Sequence, residues 1–333
     1  MRVTQSMIMT SYTERLGKVF SNLNTATLKV SSMGRKYLTA AEDPASSARA
    51  SQLHRNIQKN NDYLNNTLDV IDTIDTIHQG ILVLQDIATN TYTKVLDGLN
   101  DVWTNNDRQI MANEIRMMQK SAVDSLNSKF EDGFVFGGSS TKELPFELSA
   151  DGQTLTFRGL DVTDPANQAE LKRLAGEKIY RDLGFGLDVT DNNGKLEIKD
   201  SSAFNTAHPG ISFIGFGEDP TDNLVLNLGK IASALETEPF DEEAVRSYMP
   251  KLKEQSQQIL NAVTRVHSSA TFLQQRVSVL ERINDNLNSK ILNVEYMDME
   301  EAINLFKMHD YTYRAALEMG ARILTPSFID FMK

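Results

Sequence analysis

Residues 9–37, MTSYTERLGKVFSNLNTATLKVSSMGRKY, carry apolar side chains at Met9, Tyr12, Leu16, Val19, Leu23, Ala26, Val30, Met33 and Tyr37. The spacing alternates three and four without a miss. A repeat of about 3.5 residues puts these side chains on one seam of a helix, and such a seam needs a partner. Near the other end the pattern returns at Ile259, Val263, Val266, Ala270, Leu273, Val277, Leu280, Asn284, Leu287, Ile291 and Val294. Two seams, one towards each terminus, predict that the ends of the chain pair and carry the middle between them. Asn284 is the polar member of the second seam. It either fixes the register of the pair at some cost in stability or marks a point where the seam turns outward. Beyond Val294 the phase slips: Asp298 and Glu301 fall on the old seam, and Ala302, Leu305 and Phe306 take over. That slip marks the border of a terminal shaft.

Proline and glycine divide the rest. No proline lies between Pro44 and Pro145 or between Pro250 and Pro326, whereas thirteen of the 18 glycines fall between Gly133 and Gly229. Both residues interrupt regular helix, so the flanks read as helices and the centre as strands and turns. The first helix is expected to run to Asp43-Pro44, because the residue before proline avoids the α region. A second runs from near Ala45 towards Leu99, and a third, capped by Asp107, from Arg108 to about Phe130. In the centre, Phe146 to Leu148, Thr154 to Phe157 and Lys195 to Ile198 alternate as strands do, and Asp191-Asn192-Asn193-Gly194 is a hairpin turn signal. Asn167 to Leu174 reads as a short helix, and Gly133 to Ser140 as a flexible exit into the β region. Helical period returns at Asn223, Pro239 interrupts it, and Asp241-Glu242-Glu243 suits the first turn of the last long helix group. The fold expected is mainly α: long paired helices from both termini form a rod, and a small β-rich domain is inserted mid-chain. The expected divisions are 1–43 with 296–333, 44–140 with 221–295, and the insert 141–220.

The net charge of −11 argues against a nucleic-acid coat or a polybasic membrane anchor. No apolar run is long enough to span a membrane, and the N-terminus lacks the basic and apolar regions of an ordinary secretory signal. Cysteine is absent, which excludes disulfides and thiol nucleophiles. His54, His78, His208, His267 and His309 show no metal-like spacing. Gly133 to Ser140 lacks the Gly-Lys-Ser/Thr of a phosphate loop. Asp188, Asp191 and Asn193 lack the order and closing Glu of a calcium loop and are read as a turn. No constellation supports catalysis, a cofactor or a metal, so an enzyme with its site in the insert is the weaker reading. A coiled-coil adhesin is disfavoured by the missing export signal or anchor.

Several motifs together resemble the flagellin superfamily. The start Met1-Arg2-Val3-Thr4-Gln5-Ser6-Met7 is similar to its hook-associated members. Gly34-Arg35, followed by Ala41-Glu42-Asp43-Pro44-Ala45, matches a family pattern, with Glu42 where relatives often have Asp. Asp107-Arg108, Asn127-Ser128-Lys129-Phe130 and the run from Phe136-Gly137-Gly138 to Pro145-Phe146 look like hook-associated junction proteins. The tail Ile323 to Phe331 fits the ending of many relatives. The resemblance covers roughly 1–146 and 221–333 and leaves the insert out.

It implies a structural adaptor between the flagellar hook and filament, a ring-like layer of copies on which flagellin polymerises. A second hook-associated junction protein would lie on the hook side and flagellin on the filament side. The chain would be extracellular, exported unfolded without a cleaved signal, with a cytosolic export chaperone on its C-terminal helix. A flagellin-type filament subunit is the rival within the family. The expected subunit-interface residues are Met9, Tyr12, Leu16, Val19, Leu23, Val30, Leu287, Ile291, Val294, Leu305 and Phe306. Leu324, Phe328, Ile329 and Phe331 form an apolar end, which either docks on its own N-terminal helix or contacts a neighbouring subunit or chaperone.

Overall fold

The structure, a computed structural model, describes residues 5–100, 103–192, 195–199 and 201–324. In chain order the helices are α1 (Gln5–Ser31), α2 (Pro44–Asn100), α3 (Asn105–Leu126), α4 (Gln168–Ala175), α5 (Ile211–Ile214), α6 (Leu224–Glu236), α7 (Glu242–Glu295) and α8 (Met299–Leu324). Between α3 and α6 lie short antiparallel strands: β1 (Lys129–Phe130), β2 (Gly133–Phe134), β3 (Phe146–Leu148), β4 (Leu155–Phe157), β5 (Leu160–Asp161), β6 (Tyr180–Arg181), β7 (Val189–Asn192), β8 (Lys195–Ile198) and β9 (Phe204–Asn205). They pair as β1-β2, β3-β4-β5, β6-β9 and β7-β8. This is the expected mainly α chain with small sheets in its middle. It divides into two compact units, a terminal one (Met1–Asn61 with Glu281–Lys333) and a central one (Asp62–Leu280).

In the terminal unit α1 stops at Ser31, not near Asp43. Met33 and Gly34 take left-handed backbone, with φ of 59° and 83°, and the Gly34 N–H donates back to the Lys29 carbonyl at 2.8 Å. A left-handed residue just past the last turn closes a helix. Met33 and Tyr37 therefore lie beyond the helix, outside the α1 seam. The chain after Gly34 pairs antiparallel with the end of α7: Lys36 N–H donates to Glu295 O at 2.7 Å and Met297 N–H to Gly34 O at 2.8 Å. α2 then opens on Pro44, whose missing N–H costs nothing in a first turn, and Asp43 accepts from Ser46 N–H at 3.0 Å.

In the central unit α3 begins earlier than expected. Thr104, not Asp107, is its cap, and the two form a capping box in which Asp107 reaches back to the Thr104 N–H at 3.1 Å. α3 also ends earlier, at Leu126, because Lys129-Phe130 pairs with Gly133-Phe134 as a hairpin. The Asn127 side chain imitates a strand partner: its amide donates to Phe146 O at 2.9 Å and its carbonyl accepts from Phe146 N–H at 3.0 Å. Gly133 to Ser140 is part of the packed structure, which corrects its reading as a flexible exit. Phe136 is fully buried, edge-on to Phe213 at 6.1 Å. A Cβ on Gly80 of α2 would come within 2.7 Å of the Phe136 ring. The Phe146 and Phe157 rings meet at 4.8 Å between centroids, tilted by 38°, across β3 and β4. Helix α6 is capped by Asn223, which accepts from Val225 and Leu226 N–H, and buries Leu224, Leu228, Ile231 and Leu235. Those are the positions at which helical period returns in the sequence.

His208 packs on Phe213 at 6.4 Å. Burial first, and then the charge of Arg265, pushes its pKa down to about 4. A histidine whose folded pKa lies below its unfolded value loses stability as the pH falls between the two, because the unfolded chain takes up the proton first. Between pH 7 and pH 4 this group is expected to destabilise the central unit by about 3 kcal/mol. Urea unfolding followed by Trp103, the chain's one tryptophan, should show that slope. His208→Phe should flatten it; an equal slope in that variant would refute the assignment.

Candidate assembly surface

α1 packs against α8 within the terminal unit, and the paired positions run antiparallel. Tyr12 Oη donates to Ala316 O at 3.0 Å, Phe20 meets Tyr313 at 5.7 Å between ring centroids, and Ala26, Ala302 and Leu305 line one small cavity of about 220 Å³. Gly320 makes room for the tyrosine: a Cβ there would fall 2.0 Å from its hydroxyl. The α1 seam is thus covered by α8 and not by the second heptad seam, which lies on α7; Ala26 and Ala302 are buried and their neighbours are buried in part.

The neighbouring stretch of the same unit joins the start of α2 to the end of α7. Asn60 donates to the Asn284 side-chain oxygen at 2.9 Å, and Asn284 donates to that of Asn61 at 2.6 Å. Asn284 is therefore half-buried and matched across the helix pair, an arrangement that favours one register. Farther along, His54 Nε2 lies 3.1 Å from Glu295 Oε1. Tyr37 has its hydroxyl shut off from solvent without a hydrogen-bond partner among the described residues. Burial, and then the Glu295 charge, raise its pKa above the ordinary tyrosine value. Asp43 is held below the ordinary carboxylate range by hydrogen bonds from Ser46.

Of the residues read from the sequence as interface, Ile291 is buried within the chain's own packing. Tyr12, Leu16, Val19, Leu23, Val30, Leu287, Val294, Leu305 and Phe306 are half-buried, and Met9 is exposed. α8 ends at Leu324; Phe328, Ile329, Phe331 and the Leu324 side chain lie outside what is described. The structure adds apolar side chains that no seam contains. Ile8, Phe20 and Leu28 of α1, and Met308, Tyr311, Leu317 and Met319 of α8, are exposed. Met308, Tyr311 and Met319, about one and three turns apart, share one side of α8. Apolar side chains grouped on the outside of these two helices make a candidate association surface. Their only sequence signal was being apolar and out of phase with the heptad.

The central unit also exposes apolar side chains, among them Ile110, Met117 and Phe272. Among the described residues no three His, Asp or Glu side chains are grouped to hold a metal ion. His78 and His267 do meet, with ring centroids 5.7 Å apart, a proximity between α2 and α7 that spacing along the chain could not reveal. Asp188 is paired with Lys199, and β7 and β8 pair through Asn192 and Lys195 as a hairpin. No described helix is long and apolar enough to cross a membrane.

Residues 3–141 match the family model of the bacterial flagellin N-terminal helical region. That match spans less than half of the chain, and over it the chain is similar to flagellin N-terminal regions. A structure from Vibrio parahaemolyticus, described as a flagellar hook-associated protein, is similar over 77% of this chain and 100% of its own, with a TM-score of 0.58 and 14% identity. The FlgL structure of Bacillus cereus is similar over 73% of this chain and 99% of its own, with a TM-score of 0.50 and 16% identity. At such identities the likeness is one of fold. No curated protein sequence matches the chain.

Proposed function

We propose that this chain is the hook–filament junction protein, of the FlgL type also called hook-associated protein 3. Copies form a ring-like layer seated on the other hook-associated junction protein, and flagellin polymerises on its far side. A cytosolic chaperone holds the C-terminal helix before export. The observation that carries this reading is the terminal unit: both ends of the chain fold as one helical body that leaves apolar side chains of α1 and α8 outside. An adaptor needs such a surface to associate head-to-tail, because a heterologous contact can propagate through a layer. The motifs Asn127 to Phe130 and Phe136 to Phe146 favour the junction role over a flagellin-type filament subunit.

Deleting the gene tests it. Hooks without filaments, with flagellin lost as soluble monomer, are expected by electron microscopy and by assay of the medium. Filaments still anchored to hooks would overturn the junction role and favour a minor filament subunit. A second expectation concerns the apolar end. A chain lacking residues 326–333 should keep the urea midpoint reported by Trp103 yet fail to restore filaments in the deleted strain. Restored filaments would show that the tail only docks on its own helix.

A further inference from the structure

The chain has no cysteine, so its readily oxidised sulfur is all methionine. That methionine is unevenly placed. Nine of the 13 residues fall in residues 1–61 and 281–333, about a third of the chain. Several stand in the open: Met33 is 78% exposed, Met7 62%, Met319 61% and Met308 54%, whereas Met249 in the central core is 6% exposed. Met117, on the central unit, is 65% exposed and serves as an internal comparison. Met308 and Met319 lie on the side of α8 that also presents Tyr311, and Met33 sits in the left-handed turn after α1. A thioether is apolar and pliable, well suited to an adaptable contact.

We propose that Met7, Met33, Met308 and Met319 are each open to oxidation, and that their conversion to sulfoxide by a peroxide switches off association through the terminal unit. The second half rests on the junction reading above. In each step the thioether sulfur attacks one peroxide oxygen. The O–O bond breaks, an S–O bond forms, and the other oxygen leaves as water after taking up the proton. Sulfur loses two electrons and the peroxide gains them. The product carries a strong hydrogen-bond acceptor where an apolar group stood. Burying that acceptor in an apolar contact without a donor is unfavourable.

The test uses the full chain and hydrogen peroxide. Peptide mass mapping should find one added oxygen on Met7, Met33, Met308, Met319 and Met117, well ahead of Met249; equal oxidation of Met249 in the folded chain would overturn the assignment. Co-sedimentation with hooks isolated from the deleted strain should fall by about tenfold or more after treatment and recover with methionine sulfoxide reductase. The quadruple variant Met7→Leu, Met33→Leu, Met308→Leu, Met319→Leu has no sulfur at those positions to oxidise. Whatever its own starting affinity, its treated and untreated binding should agree, whereas Met117→Leu should lose binding as the parent does. Undiminished binding of the oxidised parent, or equal loss in the quadruple variant, would overturn the switch. If the untreated chain does not bind these hooks, the junction reading falls and the switch with it, while the mass map still decides the oxidation assignment.

Discussion

Phe136→Ala is expected to destabilise the central unit by about 3–5 kcal/mol, the cost of deleting a fully buried aromatic ring that its surroundings cannot refill. The ring is 0% exposed and packs edge-on to Phe213. It also reaches so close to α2 that only a glycine fits at position 80. Ser125 Oγ donates to the Gly80 carbonyl at 3.0 Å, so α2, α3 and the β region converge there. The urea midpoint read by Trp103 should drop with little change in slope. Gly80→Ala in the native background should also destabilise, by driving its methyl into the ring. In the Phe136→Ala background the same methyl has space, so the two losses should not add. Strict additivity would mean that the contact between Gly80 and Phe136 is not what holds the β region to α2.

Gly34→Val should disrupt the terminal unit by about 2–4 kcal/mol, from a β-branched residue forced to positive φ together with a backbone clash. Gly34 has φ of 83°, and its added Cβ would stand 2.8 Å from the Met297 carbonyl oxygen, which cannot swing aside as a side-chain end could. The turn closing α1 and the backbone bonds of Lys36 and Met297 to the opposite segment depend on that geometry. Amide exchange at Lys36 and Met297 should rise well above that of the parent, with the Trp103 transition of the central unit unmoved. Under the junction reading, cells with this variant should also lose filaments. Parent-like protection at both amides would show that the turn tolerates a side chain.

Much of the secondary structure was legible because it is recorded locally. The period of the apolar residues identified α1, α2, α6 and α7 as helices, and alternation with Asn-Gly chemistry marked the β7–β8 hairpin. Helix ends were less legible. The heptad ran on through Met33 and Tyr37, since a period counts residues and is blind to the left-handed turn that stopped α1. At α3 the cap fell to Thr104, because Thr and Asp three apart can each take the role and only the folded turn assigns it.

The surface was the least legible part. Periodicity named the side chains of α1 and α8 that turn inward, and the terminal unit uses them to bring its own helices together. What remains for another molecule is set by which sides stay uncovered after that packing, and Met308, Tyr311 and Met319 became visible as a group only then. The sequence by itself determined the helical flanks and the β centre. Tertiary structure decided where α1 ends, that Phe136 is a core residue, that His78 and His267 meet, and which apolar side chains are left outside. The physical reason is range: a seam is written in neighbours a few residues apart, while burial depends on partners hundreds of residues away.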